Sequence, residues 1–226
     1  MKLYYWDIAF RCIYIEIFFH LNDIKYERVD SDEVVEKRQM MKSNLVYPGF
    51  APPYLEIDDK SFSQMPAAMM YLNDKYQFYC GNHEDSYFSL KALLDVTDFM
   101  AEITRNNGSM MWDRDSWLKF EKGRMRDWLQ LFELQSKNRS ANFLLSNSPS
   151  IADIAYLGCF SLLMHSFSYF DKMIRSSYPE ILHIINEFKK IKSINDYLDS
   201  QWDQFGTIYC GGQIEKSIRA QIDSKI

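Results

Sequence analysis

Apolar and polar positions along the chain follow one rhythm at the start and another after about a third of its length. The segment 2–6 (KLYYW) is short and rich in aromatics, which predicts a strand. Residues 11–21 (RCIYIEIFFHL) form an apolar run long enough for a buried helix, and Asn22-Asp23 ends it. Residues 24–29 (IKYERV) alternate, as a second strand would. Residues 31–42 predict a helix with Ser31 as N-cap and acids in the first turn. A proline-rich loop, NLVYPGFAPP, leads to strand candidates at 54–57 and 61–63, separated by the turn Asp58-Asp59-Lys60. A helix over 65–76 follows, with Pro66 in its first turn, where a missing N–H costs little. The strand–helix–strand opening requires a right-handed crossover and a partly parallel sheet.

After Cys80-Gly-Asn-His-Glu-Asp85 the spacing becomes helical throughout. Residues 87–105 carry Leu90, Leu93, Leu94, Thr97 and Met100 at helical intervals. A long amphipathic stretch, 113–136, places Trp117, Phe120, Met125, Trp128, Leu131 and Phe132 on its inner face. Ser150 and Asp153 have N-cap and N3 spacing ahead of an apolar run that ends near Phe170. Two more helices are predicted over 179–190 and 191–200, then a break at Cys210-Gly-Gly212 and a last helix-like segment. The reading is an α/β domain over 1–80 and an all-helical domain over 87–226.

A chain of 226 residues with 47% hydrophobic and 25% charged residues suits one large domain or two small ones. Its aromatic share of 16% can fill helix interfaces or line an apolar cleft. The net charge of −5 and the absence of a basic stripe exclude nucleic acid as a partner. No run approaches the roughly 18 apolar residues of a membrane span. The opening MKLYYWDIAF has no small-residue cleavage site, so no signal peptide is expected. Cys12, Cys80, Cys159 and Cys210 form neither C-x-x-C nor a zinc spacing with the four histidines. No metal site is therefore expected, and a reduced, cytoplasmic setting fits.

Several short segments, in order, resemble cytosolic glutathione transferases. Tyr5-Trp6-Asp7-Ile8 is similar to the opening of the mu class, whose tyrosine is catalytic. Pro53-Tyr54-Leu55, then Ile57-Asp58 and Gln64, resembles the stretch holding the family's cis-proline and its glutamine–serine pair. Ala67 to Leu72 resembles the helix that follows, and Ser150-Ile-Ala-Asp153 the buried capping box of the second domain. Tyr178-Pro-Glu180 and 191–198 resemble the closing helices, while Lys2-Leu3 and Met41-Lys-Ser43 are equally sigma-like. The resemblance implies a thioredoxin-like N-terminal domain, an all-α C-terminal domain, glutathione as co-substrate and a homodimer.

It also implies roles. A free thiol has a pKa near 8.5, so a transferase must favour the thiolate, and a tyrosine hydroxyl can do so by donating a hydrogen bond to sulfur. By resemblance that residue is Tyr5; Tyr4 points to the other face of the strand. Pro53 is the implied cis-proline, and the residue before it pairs its backbone with the cysteinyl part of glutathione. Here that residue is Pro52, which has no N–H to give. Gln64 matches the glutamine that contacts the γ-glutamyl group, but the following serine is replaced by Met65, which keeps a backbone N–H at a helix N-terminus. Trp6 and Lys42 are implied for the glycyl carboxylate, and Asp98 (with Asp95 on the same helix face) for the partner subunit's glutathione. The family's tryptophan ahead of Lys42 is missing, the first turn reads Ala9-Phe10-Arg11 without glycine, and Glu16 stands where the family often has arginine. Phe10, Met110, Met111 and Trp112 are candidates for the electrophile site, and Tyr47 or Phe50 for an aromatic key at the dimer interface. Cys12 lies inside the first helix and reads as core.

Two functions remain open at this point. One is a detoxifying transferase that uses Tyr5 to activate glutathione for attack on a small hydrophobic electrophile. The other is a non-catalytic carrier or scaffold of the same fold, which the losses at Pro52 and Met65 favour.

Overall fold

The computed structural model describes residues 1–43, 46–139 and 141–222. Strand β1 (Lys2–Tyr4) pairs in parallel with β2 (Glu27–Val29) and antiparallel with β3 (Tyr54–Ile57), which pairs antiparallel with β4 (Lys60–Phe62). The sheet order is β2-β1-β3-β4. Helix α1 (Ile13–Leu21) makes the crossover from β1 to its parallel neighbour, α2 (Ser31–Lys42) follows β2, and α3 (Met65–Tyr76) follows β4. Alternation along β1 sends Tyr4 to one face, against Val29, Val34, Met41 and Tyr54. Leu3 and Tyr5 face the other way, into the main core with α1 and α3. The N-cap of α2 is Asp30 rather than Ser31, since the Asp30 carboxylate accepts from the N–H groups of Asp32 and Glu33. An ionised cap is the stronger acceptor, and the Ser31 hydroxyl donates to Asp7 instead.

The rest of the described chain is helical: α4 (His83–Ile103), α5 (Arg105–Gly108), α6 (Arg114–Lys122), α7 (Arg124–Lys137), α8 (Ile151–Ser166), α9 (Ser168–Ser177), α10 (Pro179–Phe188), α11 (Lys192–Phe205) and α12 (Gly212–Ile222). The fold is thus a small mixed sheet with its helices, followed by an all-helical domain, as expected. Three details differ from the pattern. α4 begins at Asn82, which caps it in a box with Asp85, several residues before the apolar spacing starts. The stretch 113–136 breaks at Gly123 into α6 and α7, which turns Leu129 rather than Leu131 fully inward. The run toward Phe170 stops at Ser166, because Phe167 is extended (φ −137°, ψ 111°) and starts a new helix.

Helix α8 is buried on nearly every side and packs against α1, α4, α9 and α10. Gly158 makes its approach to α1 possible: a Cβ there would lie 2.8 Å from the ring of Tyr14. The start of α8 is held by Asp153, wholly buried, whose carboxylate accepts from Leu144 N–H at 2.7 Å, Ser150 N–H at 2.9 Å and the Ser150 hydroxyl at 2.6 Å. On α4, Leu93, Val96, Phe99, Met100 and Ile103 are buried, while Tyr87, Leu90 and Leu94 form a second, exposed apolar stripe. Among the described residues no helix is long and apolar enough to cross a membrane.

The Asp153 cap gives a direct expectation for stability. Asp153→Ala leaves two buried N–H groups without an acceptor and should lower unfolding free energy by about 2–4 kcal/mol. Urea unfolding followed by circular dichroism measures it, and a change within error of zero would show that the loop and helix start hold without the carboxylate.

Candidate functional site

The turn from β1 into α1, the chain before β3, the start of α3, the cleft-facing side of α4 and the start of α12 enclose a cleft of about 580 Å³. Its floor is Tyr5, Trp6, Ile8, Phe10 and Arg11. One wall is Arg38 with Phe50, Ala51, Pro52 and Pro53, continued by Gln64, Met65 and Pro66. The opposite wall is Thr97, Ala101, Thr104 and Asn107, and Cys210 and Ile214 close it above.

Tyr5 is nearly fully buried, and its hydroxyl oxygen accepts the Arg11 backbone N–H at 3.1 Å. Burial pushes its pKa well above that of an ordinary tyrosine, with the Arg11 N–H and guanidinium pulling it partly back. Burial thus favours the protonated hydroxyl, which can donate a hydrogen bond as well as accept one. The Arg11 guanidinium donates across the cleft to Asn107 Oδ1 at 2.9 Å. Asn107 belongs to α5, where Arg105, Asn106 and Asn107 all have positive φ (44°, 55° and 57°). Such left-handed backbone is costly away from glycine, least so for asparagine. Arg38 brings a second cation to the lining, lies 5.8 Å from the Phe50 ring, and has a buried Nε without a hydrogen-bond partner. No carboxylate is among the cleft-lining residues. The site is suited to an anion.

Pro53 follows a cis peptide bond, as the resemblance implied, and Pro52 beside it contributes a carbonyl but no N–H. Gln64 is exposed and held at φ 68°, ψ 102° immediately before α3, so its side chain and the free N–H of Met65 stand at a helix N-terminus. Two cysteine thiols, Cys12 in the core and Cys210 in the lining, are held toward their protonated form. Burial first, then Glu16, raises the Cys12 thiol far above its usual value. Burial and Glu215 push Cys210 up to about 12. Among the described residues, no group of three or more His, Cys, Asp or Glu side chains is gathered to hold a metal ion.

The cleft brings together Tyr5, Trp6, Phe10, Pro52, Pro53, Gln64 and Met65. Five other candidates lie outside its lining. Lys42 is exposed one turn beyond Arg38 on α2, its Nζ 5.7 Å from the Phe50 ring. Asp98 is exposed next to Thr97. Met110 is exposed, and Met111 with it. Trp112 is buried in a stack with Phe120, its indole donating to Ile103 O at 2.7 Å. The residues that sequence reasoning passed over are Arg11, Arg38, Asn107, Cys210 and Ile214. Arg38 had a signal, because it shares a helix face with Lys42 at i, i+4. Asn107 had none, since nothing in Arg-Asn-Asn-Gly announces a left-handed turn against the cleft.

The roof is fastened by its own carboxylate. Glu215 Oε2 accepts from the N–H groups of Tyr209, Cys210 and Gly211 at 3.0, 3.0 and 2.7 Å. Arg219 clasps Glu215 and the Thr207 carbonyl. Phe10 meets Tyr209 edge-on at 5.1 Å, which ties the floor to this segment.

Solved structures of similar fold are numerous. The chain superposes on a Pi-class glutathione S-transferase of Onchocerca volvulus with a TM-score of 0.75 at 19% identity, covering 94% of this chain and 99% of that one. The Ascaris lumbricoides glutathione S-transferase gives 0.71 at 20% identity, over 88% and 96% of the two chains. The monomeric Na-GST-3 of the hookworm Necator americanus gives 0.70 at 19%, over 88% and 96%. At such identity these likenesses speak to the fold alone. No curated protein matches the chain in sequence. The family model for the glutathione S-transferase C-terminal domain, however, matches residues 88–221, more than half the chain. With the sheet domain and its cleft in front of that matched segment, the chain belongs to the glutathione S-transferase family.

Proposed function

We propose that the protein binds glutathione in this cleft and activates its thiol through Tyr5 for attack on a small hydrophobic electrophile. One observation carries the reading: a buried tyrosine faces a cleft lined by two arginines and no acid. Glutathione is anionic at neutral pH and becomes more so as its thiol ionises. The Arg11 N–H occupies the acceptor side of the Tyr5 hydroxyl, leaving its proton to be given to sulfur. A charge-assisted bond of that kind favours the thiolate.

In this reading the cysteinyl part of glutathione lies along Pro52, with one backbone bond rather than two. The γ-glutamyl group meets Gln64 and the Met65 N–H. Arg38, with Trp6 beside the cleft floor, takes the glycyl carboxylate in preference to Lys42. Phe10, Ala101, Ile214 and Cys210 face the electrophile. The reaction then belongs to a reduced, cytoplasmic compartment. The exposed stripe Tyr87, Leu90 and Leu94 on α4, together with exposed Tyr47 and Phe50, suits a homodimer face in which Asp98 reaches the second site.

The rival reading is a non-catalytic protein of the same fold, motivated by Pro52 and Met65. A glutathione-affinity column and a chlorodinitrobenzene assay on folded protein separate the two; neither retention nor turnover would leave the rival standing. Tyr5→Phe should cut kcat/KM with chlorodinitrobenzene by about a hundredfold while leaving retention largely intact. Unchanged turnover would remove Tyr5 from the chemistry. Arg38→Ala should raise KM for glutathione about tenfold, equivalent to about 1.4 kcal/mol, with kcat little altered. If Lys42→Ala does this and Arg38→Ala does not, the carboxylate site lies one turn further along α2.

A further inference from the structure

Behind the cleft floor lies a polar junction that the proposed chemistry does not yet use. Glu16, on α1, is wholly buried. Arg28 Nη1, from β2, donates to both its oxygens at 2.8 and 2.9 Å. The Tyr26 hydroxyl donates to Oε1 at 3.1 Å, and the Tyr197 hydroxyl, from α11, to Oε2 at 2.9 Å. Two further titratable groups stand close by on α1. Cys12 sits one turn earlier and is held as a thiol by burial, while His20, one turn later, stacks on Tyr197 at 4.5 Å and is biased toward its neutral form by burial.

A buried carboxylate needs a cation and donors, and this one has them. Neutralising Glu16 takes only half of the Arg28 fork. The other half, Nη2, donates to Trp6 O at 3.0 Å and Ile8 O at 2.7 Å. Both residues line the cleft, and they stand one and three positions after Tyr5. The loop has few other anchors: the exposed Asp7 carboxylate accepts from the Ser31 hydroxyl at 2.8 Å, and the Ile8 N–H turns back to Trp6 O at 2.7 Å. A lysine at 28 could keep the ion pair but has no planar fork to hold two carbonyls at once.

We propose that Arg28, locked in place by Glu16, is a positioning residue for thiol activation. It pins the backbone at Trp6 and Ile8, and that pinning sets where Arg11 arrives, with its N–H on the Tyr5 hydroxyl. Loosening the pin weakens the Tyr5 donor without removing it. The proposal rests on the glutathione reading above for its catalytic part. The pin itself is a statement about the ligand-free protein and can be tested there.

The experiment compares wild type, Arg28→Lys and Glu16→Gln, with Asp153→Ala as a variant destabilised far from the loop. In ligand-free protein, amide hydrogen exchange by mass spectrometry should quicken at least tenfold over residues 6–11 in Arg28→Lys, equivalent to about 1.4 kcal/mol of lost local protection. Asp153→Ala should leave that peptide unchanged. With glutathione bound, the ultraviolet absorbance of the thiolate, followed against pH, should show its apparent pKa raised by about one unit in Arg28→Lys and by less in Glu16→Gln. Glutathione affinity should change less than the thiolate fraction. Equal exchange at 6–11 in wild type and Arg28→Lys overturns the pin, and so does quickening spread over the whole chain. Quickened exchange with an unmoved thiol pKa overturns the catalytic part. If Arg28→Lys does not fold, Glu16→Gln decides both points by the same readouts. If wild type binds no glutathione, the proposed function fails together with the catalytic part, and the exchange result still judges the pin.

Discussion

Everything in the molecule is arranged around a helix with no outward face. From Ile13 through Phe19, every residue of α1 is buried. The sheet and α3 cover it on one side, α8 and α11 on the other. A helix so enclosed must satisfy three demands. Its apolar side chains need matching surface on all sides, its closest neighbour needs a residue without a side chain, and any charge it carries needs a partner. The chain meets them with the aromatic-rich core, with Gly158 against Tyr14, and with Arg28 against Glu16. The position of the turn entering α1 follows, and with it the floor of the cleft.

The cleft is assembled from segments that have little in common locally. A strand end supplies Tyr5, a proline pair supplies a carbonyl edge, a helix start supplies the Met65 N–H, α4 supplies Thr97 and Ala101, and α12 supplies Ile214. Their shared property is electrostatic: two arginines and the Met65 N–H at a helix start, with no acid among the lining residues. A chain of net charge −5 has therefore set aside one positive concavity on an otherwise acidic body. Such a concavity concentrates anions beyond what the net charge suggests.

The fold was largely readable because it depends on periodicity, which a sequence displays directly. Strand candidates 54–57 and helices 31–42 and 65–76 match the observed elements residue for residue. Where the reading slipped, a local interaction outweighed the apolar pattern: Asp30 outcompeted Ser31 as a cap, and Asn82 started α4 in a polar stretch. The cleft was readable where it is built from contiguous motif, at Tyr5, Trp6, Pro52, Pro53, Gln64 and Met65. It was opaque where distant segments meet. The Arg11–Asn107 bond spans 96 positions and depends on a left-handed turn. Cys210 and Ile214 reach the cleft only because Glu215 gathers three N–H groups ahead of α12. Trp112 carried the composition of a ligand contact, yet its indole N–H is spent on Ile103.

The Glu16–Arg28 pair has a consequence for how this sequence can change over generations. Replacing either residue alone with an uncharged one leaves a buried charge without its counter-ion, a loss of about 3–5 kcal/mol from a stability of about 5–15 kcal/mol. Position 16 is thus closed to drift unless position 28 moves with it, and 28 is further held by two carbonyls of the cleft floor. An exchange of this pair has to pass through a buried, unpaired charge unless both positions change together. Once made, it would be hard to reverse one residue at a time.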